Sequence, residues 1–282
     1  MLHKIYSLHK IYSSTAFGFD AGQYSRFKFG DNNISANFGT DLAQGFISEV
    51  LAKNTPDKQI VVVSSPYSFI PTATFAMKNH FVFELNRWLA KSNLPVVQET
   101  KVHRTITYKD DYGALDAAQR MTLIGNDSFH IDAAFLKDKT LLFLDDIKIT
   151  GSHERMITKM IKHYDLHNDV WMLYFAELAN TDIHPNIENY LNYHDVKTIF
   201  DLHKIINGGA FAVNTRIVKY ILCYDYADFC SFIERQSRGF AAELYNMALG
   251  NSYHTMESYI QNLSYLEHLL FTNNQKLKQH GN

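Results

Sequence analysis

Three short apolar runs constrain the fold of this chain more than any other feature. They are residues 60–63 (IVVV), 140–144 (TLLFL) and 170–176 (VWMLYFA). Runs of this length and composition are typical of strands that are covered on both faces. Because helical patterns lie between them, at residues 72–91 and 152–163, the sequence predicts crossover connections and an α/β fold with a mostly parallel sheet flanked by helices.

The residues before the first run are predicted to form a strand, a turn and a helix. Side chains alternate over residues 23–29, which predicts a strand with Arg26 and Lys28 on a solvent-exposed face, with an anion site at these two residues as the alternative. Residues 30–33 have the composition of a turn. An apolar stripe then predicts a helix over about residues 40–54.

The chain begins with a duplicated hexapeptide, LHKIYS, at residues 2–7 and 8–13. An even period keeps the alternation of a strand in phase, so these residues favour an extended N-terminal arm. A poorly ordered start is the alternative.

Beyond about residue 180, strand signals give way to helical ones. The remaining predicted elements are strands at 96–102 and 128–131 and helices at 187–193, 196–206, 213–222, 226–249 and 254–271. We therefore predict an N-terminal arm (1–22), an α/β domain (23–180) and an α-helical C-terminal region (181–282). The apolar faces of this region predict a bundle that packs against the sheet or across a homodimer.

Composition excludes several classes of partner. The 27 Lys and Arg nearly balance the 29 Asp and Glu, giving a net charge of -2, which disfavours nucleic acid. No apolar run approaches the roughly 18 residues of a membrane-spanning helix, and the N-terminus does not resemble a signal peptide. The i, i+7 spacing of Cys223 and Cys230 predicts buried thiols on one face of a helix. We expect a cytoplasmic protein with no membrane partner.

One segment, residues 140–154, combines a buried strand with groups that can bind a ligand. The strand brings Asp145 and Asp146 to its carboxyl end, and Thr150 and Gly151 begin the next helix. Adjacent carboxylates can hold vicinal hydroxyls or a hard cation such as Mg²⁺. Backbone N–H groups at a helix start can cradle a phosphate, and glycine allows its close approach. Together these groups predict a site for a phosphorylated sugar.

This segment resembles the ribose-phosphate signature of the type I phosphoribosyltransferases. In that signature an apolar strand leads into Asp-Asp, two variable residues, Thr-Thr or Thr-Ala, Gly and a small residue. Two positions depart from it: Ile149 replaces a threonine, and His153 replaces the Thr or Ser that often binds the 5-phosphate. The resemblance implies that Asp145 and Asp146 bind the ribose hydroxyls, directly or through Mg²⁺.

The same resemblance implies the other contacts with phosphoribosyl pyrophosphate (PRPP). Residues 60–68 occupy the place of the pyrophosphate-binding loop, and residues 101–129 that of the mobile catalytic loop. Within the latter, Arg104, Thr107, Leu115, Arg120 and Phe129 are similar to the ComF-like branch, and residues 24–31 faintly resemble phosphoribosyltransferases of stress-resistance operons. The implied PRPP-binding residues are Ser64, Ser65, Tyr67, Ser68, Asp145, Asp146, Lys148, Ile149, Thr150, Gly151, Ser152 and His153. The implied catalytic residues are Asp145, Asp146 and Arg104, and the implied metal ligands are Asp145 and Asp146.

The resemblance therefore implies a Mg²⁺-dependent phosphoribosyltransferase. It would transfer ribose 5-phosphate from PRPP to a small-molecule acceptor, a nucleobase or related amine, and release pyrophosphate. Because Ile149 and His153 depart from the signature, a PRPP- or nucleotide-binding regulatory protein without catalysis is the alternative. A purely structural, partner-binding protein is a third possibility.

Overall fold

A computed structural model describes residues 3–105 and 128–272 of the chain. Within these residues, six strands form one sheet in the order β1-β6-β5-β2-β3-β4. The strands are β1 (Lys4–Ile11), β2 (Ile60–Tyr67), β3 (Gln98–Thr105), β4 (Ser128–His130), β5 (Thr140–Lys148) and β6 (Asp169–Leu178). Neighbouring strands are parallel except for β3 and β4, which are antiparallel. The predicted α/β fold with a mostly parallel sheet is confirmed.

Helices surround this sheet and continue beyond it. Those of the α/β part are α1 (Ala21–Lys28), α2 (Asn32–Phe46), α3 (Ala73–Lys91), α4 (Ala133–Leu136) and α5 (Ser152–His163). A π-helical turn, Ile47–Leu51, extends α2. The C-terminal helices are α6 (Ile187–Asn192), α7 (Leu202–Ile206), α8 (Thr215–Leu222), α9 (Tyr226–Ile233), α10 (Arg238–Gly250) and α11 (Glu257–Glu267).

The central strands β2, β5 and β6 each contain a continuous apolar run because both of their faces are covered. In β2, Val62 packs into a core cluster with α2 and α3, whereas Val61 and Val63 pack into a second cluster with α5 on the opposite face. Successive side chains of a strand point to opposite faces, so a strand between two helical layers needs apolar residues at every position.

The predicted strand at residues 23–29 is wrong, since residues 23–28 belong to helix α1 and Phe29 is its C-cap. Asp20 caps this helix by accepting a hydrogen bond from the Gln23 backbone N–H at 2.6 Å. The helix buries Tyr24 and Phe27, which are three residues apart and therefore lie on one helical face. Over so short a segment, the spacing of the aromatic residues is compatible with a strand or a helix. The Asp20 cap favours the helix.

Helix α2 begins earlier than the sequence predicted. Asp31 is its N-cap residue and accepts hydrogen bonds from the backbone N–H groups of Asn33 (3.2 Å) and Ile34 (3.3 Å). The predicted start near residue 40 was too late, because the prediction used the apolar stripe and overlooked the cap.

The duplicated N-terminal hexapeptide forms an ordered strand. β1 runs parallel to β6 at the edge of the sheet, from the pair Lys4 and Trp171 to the pair Ile11 and Leu178. The extended conformation is confirmed for residues 4–11. The boundaries predicted for the three parts of the chain remain predictions.

The C-terminal helices have a core cluster of their own. The single helix predicted for residues 226–249 is two helices, because α9 ends at Ile233 and Ser237 caps the start of α10. Cys223 is exposed at the end of α8 and Cys230 lies in α9, so the prediction of buried thiols on one helix was wrong. Within the described ranges, no helix is long and apolar enough to cross a membrane.

Gly39 permits the close approach of α2 to α3, because a Cβ at this position would lie 2.2 Å from the carbonyl oxygen of Met77. We expect Gly39→Ala to lower the free energy of unfolding by roughly 1–3 kcal/mol, since the helices must separate. Chemical denaturation measures the change. The control is Gly239→Ala in α10, where the nearest atom, Ser237 Oγ, is 3.7 Å away. The control should be neutral or stabilise the protein by up to about 1 kcal/mol, and equal losses in both variants would contradict this packing.

Candidate functional site

The carboxyl ends of β2 and β5 meet the first turns of α3 and α5 at one edge of the sheet. Asp145 and Asp146 lie near the end of β5, and Thr74 in the first turn of α3 reaches both of them. Its hydroxyl donates to Asp146 Oδ1 at 3.1 Å and to Asp145 Oδ1 at 3.4 Å. Ligands of parallel sheets bind at this end of the strands, so the fold places the predicted acidic pair where a ligand site is expected.

Asp146 forms a buried ion pair with Lys28 of α1. Only 7% of the Asp146 side chain and 11% of the Lys28 side chain are exposed. The Lys28 ammonium donates to Asp146 Oδ2, and the Tyr24 hydroxyl donates to the same oxygen at 2.6 Å. Burial and the Asp146 carboxylate hold the pKa of Tyr24 well above its usual value, so Tyr24 stays a neutral donor.

Asp145 contacts a different set of partners. His153 Nδ1 lies 2.6 Å from Asp145 Oδ2, and the Ser65 hydroxyl donates to Asp145 Oδ1 at 3.0 Å. Burial raises the pKa of the Asp145 carboxyl, but the charge and hydrogen bond of His153, together with the charge of Lys28, lower it by more. The net pKa lies below the usual value for aspartate, so Asp145 is ionised at neutral pH.

Three of the four oxygens of the acidic pair accept hydrogen bonds from the protein, and the fourth, Asp145 Oδ2, lies 2.6 Å from His153 Nδ1. The donors are Thr74, Ser65, Tyr24, Lys28 and the backbone N–H of Asp146. Among the residues that the structure describes, no group of three or more His, Cys, Asp or Glu side chains is placed to hold a metal ion. A divalent cation bound to Asp146 would have to replace Lys28 and Tyr24 at Oδ2, so the acidic pair in this arrangement does not fit a resident cation.

The loop between β5 and α5 has the features of an anion site. Gly151 adopts a left-handed conformation with φ of 68° at the N-cap position of α5, and no side chain caps the helix there. The first-turn N–H groups of α5 are therefore not used by a capping side chain, and such groups can bind an anion. The guanidinium of Arg155 crosses the loop, donating to the Thr150 carbonyl at 2.8 Å and to the Ser152 hydroxyl at 2.9 Å. A cavity of about 100 Å³ opens here.

Lys148 and Ile149, both predicted to bind PRPP, face protein groups. Lys148 Nζ lies 2.9 Å from Glu154 Oε2 and 3.0 Å from Glu177 Oε1. Burial lowers the pKa of Lys148, but its hydrogen bonds to these carboxylates raise it above the usual value. The Ile149 side chain packs against the core between the sheet and α2. Both residues also line the cavity at the loop.

Most of the segment predicted to be the pyrophosphate-binding loop is a strand. Ser64, Ser65 and Tyr67 lie in strand β2, and the loop that follows comprises residues 68–72. Ser64 and Ser65 are buried, whereas Ser68 is exposed. The sequence predicted this loop within residues 60–68, but β2 continues past a register shift between Ser64 and Tyr67, so Ser68 alone of that segment lies in the loop.

Side chains of the helical region hold this loop. Asn251 Oδ1 accepts hydrogen bonds from the backbone N–H groups of Phe69 (3.0 Å) and Ile70 (3.2 Å). The Thr215 hydroxyl donates to the carbonyls of Ile70 (2.8 Å) and Pro71 (3.1 Å). The helical region is therefore attached directly to the candidate site.

Part of the predicted catalytic loop lies outside the described residues. Residues 106–127 are not described, and they include Thr107, Lys109, Leu115 and Arg120. The backbone of Arg104 pairs with Phe129 between β3 and β4, but the side chain of Arg104 is not among those described.

Four site residues were missed by sequence reasoning: Tyr24, Lys28, Thr74 and Arg155. The i, i+4 spacing of Tyr24 and Lys28 places both on one face of α1, and recognising the Asp20 cap would have revealed that face. Arg155 is four residues beyond Gly151, one helical turn away. Nothing in the sequence around Thr74 marked its contact with the acidic pair.

Solved structures similar to this chain include three phosphoribosyltransferases. A hypoxanthine phosphoribosyltransferase from Staphylococcus aureus has 10% identity and a TM-score of 0.34, covering 51% of this chain and 74% of that chain. The enzyme from Trypanosoma cruzi has 14% identity and a TM-score of 0.33, covering 54% and 77%. The hypoxanthine-guanine enzyme from Leishmania donovani (L. donovani) has 10% identity and a TM-score of 0.31, covering 52% and 70%.

No curated protein sequence matches the chain. The family model described as "PRTase ComF-like" matches residues 2–266, which is nearly the whole chain. This match includes the strand, acidic pair and glycine loop on which the resemblance was based. The chain belongs to the ComF-like phosphoribosyltransferase family.

Proposed function

We propose that this protein binds PRPP and transfers its ribose 5-phosphate group to a nucleobase or related amine, with release of pyrophosphate. The observation that carries the proposal is the arrangement at the end of β5. An acidic pair is followed by Gly151 in a left-handed conformation at the uncapped start of α5, and Arg155 crosses the same loop. Membership of the ComF-like family supports this activity.

The loop and first turn of α5 would hold the 5-phosphate. Backbone N–H groups at a helix start carry partial positive charge and bind anions. Arg155 adds a full positive charge within 2.8 Å of the Thr150 carbonyl, so a phosphate in this loop would meet both. The neighbouring Thr150 and Ser152 hydroxyls, 2.8 Å apart, offer further donors.

Asp145 is the carboxylate that would receive the ribose hydroxyls. Its side chain is 18% exposed and, with His153, lines the cavity at the loop. Asp146 is more deeply buried and engaged by Lys28. The resemblance implied Mg²⁺ at this pair, but the pair does not fit a resident cation, so we assign no step to a metal.

The proposed reaction is displacement at the anomeric carbon of the ribose. The bond from this carbon to the pyrophosphate oxygen breaks and its electron pair leaves with pyrophosphate. The acceptor nitrogen then forms the new bond and loses its proton to solvent. Positive charge that develops on the ribose ring would be stabilised by the ionised Asp145 carboxylate. Loop 68–72 would face the pyrophosphate, and Arg104 is the proposed cation for its departure.

Ligand binding without turnover is the second candidate function. The observation that favours it is that both departures from the signature lie at this site, where Ile149 packs against the core and His153 lies 2.6 Å from Asp145 Oδ2. Pyrophosphate release separates the candidates. With a panel of nucleobases and amines, a transferase releases pyrophosphate from PRPP, and a binding protein does not.

We expect Asp145→Asn to weaken PRPP binding by about tenfold or more, because the variant loses the charge that accepts the ribose hydroxyls. Calorimetric titration of the full chain measures the affinity. The matched control is Asp165→Asn, which changes an 86% exposed carboxylate away from this cavity. A folded Asp145→Asn protein that binds PRPP like the parent would place the ligand elsewhere.

Two glycines test the phosphate loop. Gly151 and Gly209 both have left-handed backbones, with φ of 68° and 84°. Valine at either position should cost about 1–2 kcal/mol of stability through backbone strain. Only Gly151→Val should also weaken binding of ribose 5-phosphate by about tenfold, because the new side chain obstructs approach to the backbone N–H groups. Equal affinity of the two variants for ribose 5-phosphate would show that the phosphate does not bind in this loop.

The lowered pKa of Asp145 predicts how its contribution to stability depends on pH. A carboxyl whose pKa is lower in the folded state stabilises the protein above its unfolded pKa, about 4, and this stabilisation is lost as the pH falls towards the folded pKa. The difference in unfolding free energy between the parent and Asp145→Asn should therefore be complete near pH 5. It should shrink as the pH falls from about 4 towards 2. Urea denaturation at each pH measures it, and a difference that grows on acidification would refute the charge assignment.

A further inference from the structure

Lys28 occupies a fixed position beside the acidic pair. It is the last residue of α1, and Tyr24 one turn earlier points to the same carboxylate oxygen, Asp146 Oδ2. The Lys28 ammonium also lies 5.7 Å from the centre of the Tyr24 ring. Helix geometry at i, i+4 brings the two donors together, so their joint contact with Asp146 follows from the helical conformation of residues 21–28.

The backbone that carries Lys28 is held by the C-terminal part of the chain. The Asn214 side-chain amide donates to the Lys28 carbonyl at 3.2 Å. Two residues later, Gly30 has φ of 87°, and its carbonyl accepts from the Ala212 backbone N–H at 3.0 Å. A Cβ at position 30 would lie 2.4 Å from the Ala212 carbonyl oxygen. Both ends of Lys28 are therefore held in place, the backbone by Asn214 and the ammonium group by Asp146.

The Lys28 ammonium meets an electrostatic requirement of the acidic pair. Two adjacent carboxylates in a poorly hydrated site need positive charge nearby. Lys28 supplies it to Asp146, and His153 lies 2.6 Å from Asp145. A divalent cation at Asp146 Oδ2 would have to displace the buried ammonium or bind against its repulsion.

We propose that Lys28 takes the place of a divalent cation at Asp146, so that this chain binds its phosphosugar without a metal ion at the acidic pair. The part that concerns phosphosugar binding rests on the proposed function. The part that concerns the acidic pair does not, because it can be tested with a metal ion alone.

The first experiment titrates Mn²⁺ into the full chain and follows free Mn²⁺ by electron paramagnetic resonance. The parent should show no site that Asp146→Asn removes. Lys28→Ala should bind Mn²⁺ at least about tenfold more tightly than the parent, and adding Asp146→Asn should abolish the gain. The control Lys58→Ala removes the lysine of an exposed ion pair with Asp169, 3.3 Å away, and should behave like the parent.

Lys28→Gln serves as a second variant, because glutamine removes the charge while keeping a hydrogen-bond donor if Lys28→Ala does not fold. The proposal is overturned if the parent binds Mn²⁺ at a site that Asp146→Asn removes. It is equally overturned if the folded Lys28 variants gain no Mn²⁺ affinity. The parent measurement needs no variant at position 28, so this test remains decisive in either case.

The second experiment titrates ribose 5-phosphate and PRPP in EDTA and in Mg²⁺. The parent's affinity for ribose 5-phosphate should change less than about twofold between the two conditions, whereas Lys28→Gln should bind more weakly in EDTA and recover in Mg²⁺. A parent that binds ribose 5-phosphate only with Mg²⁺ overturns the proposal about Lys28. If neither compound binds the parent under any condition, the proposed function fails, and the Mn²⁺ titration still decides the role of Lys28.

Discussion

The buried ion pair between Lys28 and Asp146 is the interaction on which the site depends. Removing one partner of such a pair leaves a buried charge unpaired, which costs about 3–5 kcal/mol. Tyr24 and Thr74 donate to the same carboxylate, so the pair connects α1, α3 and β5. The contact between Lys28 and Asp146 therefore both joins these elements and places a positive charge at the candidate site.

Much of the α/β fold could be predicted because burial leaves a local record in the sequence. A strand covered on both faces, such as β2, contains a continuous apolar run at residues 60–63, and α5 has an apolar stripe that marked its bounds correctly. Helix α1 has no such record. Its eight residues carry few apolar side chains, and the position of its start is set by the single side chain of Asp20.

The candidate site divides in the same way. Asp145, Gly151 and Ser152 follow one another from a strand into a helix, so a contiguous motif was enough to single them out. Lys28 is 118 residues from Asp146, and their contact depends on α1 packing beside the sheet. The sequence offered no pattern for that contact, because charged residues on short segments are usually exposed.

Asn251 and Thr215 bind the backbone of the loop after β2, at Phe69, Ile70 and Pro71. If these contacts stabilise a form of the loop that binds a ligand more tightly, then ligand binding stabilises the contacts by the same free energy, because thermodynamic linkage is reciprocal. Occupancy of the loop would then change the free energy of local opening in α8 and α10. The stability of the C-terminal helices would then depend on whether a ligand occupies the loop.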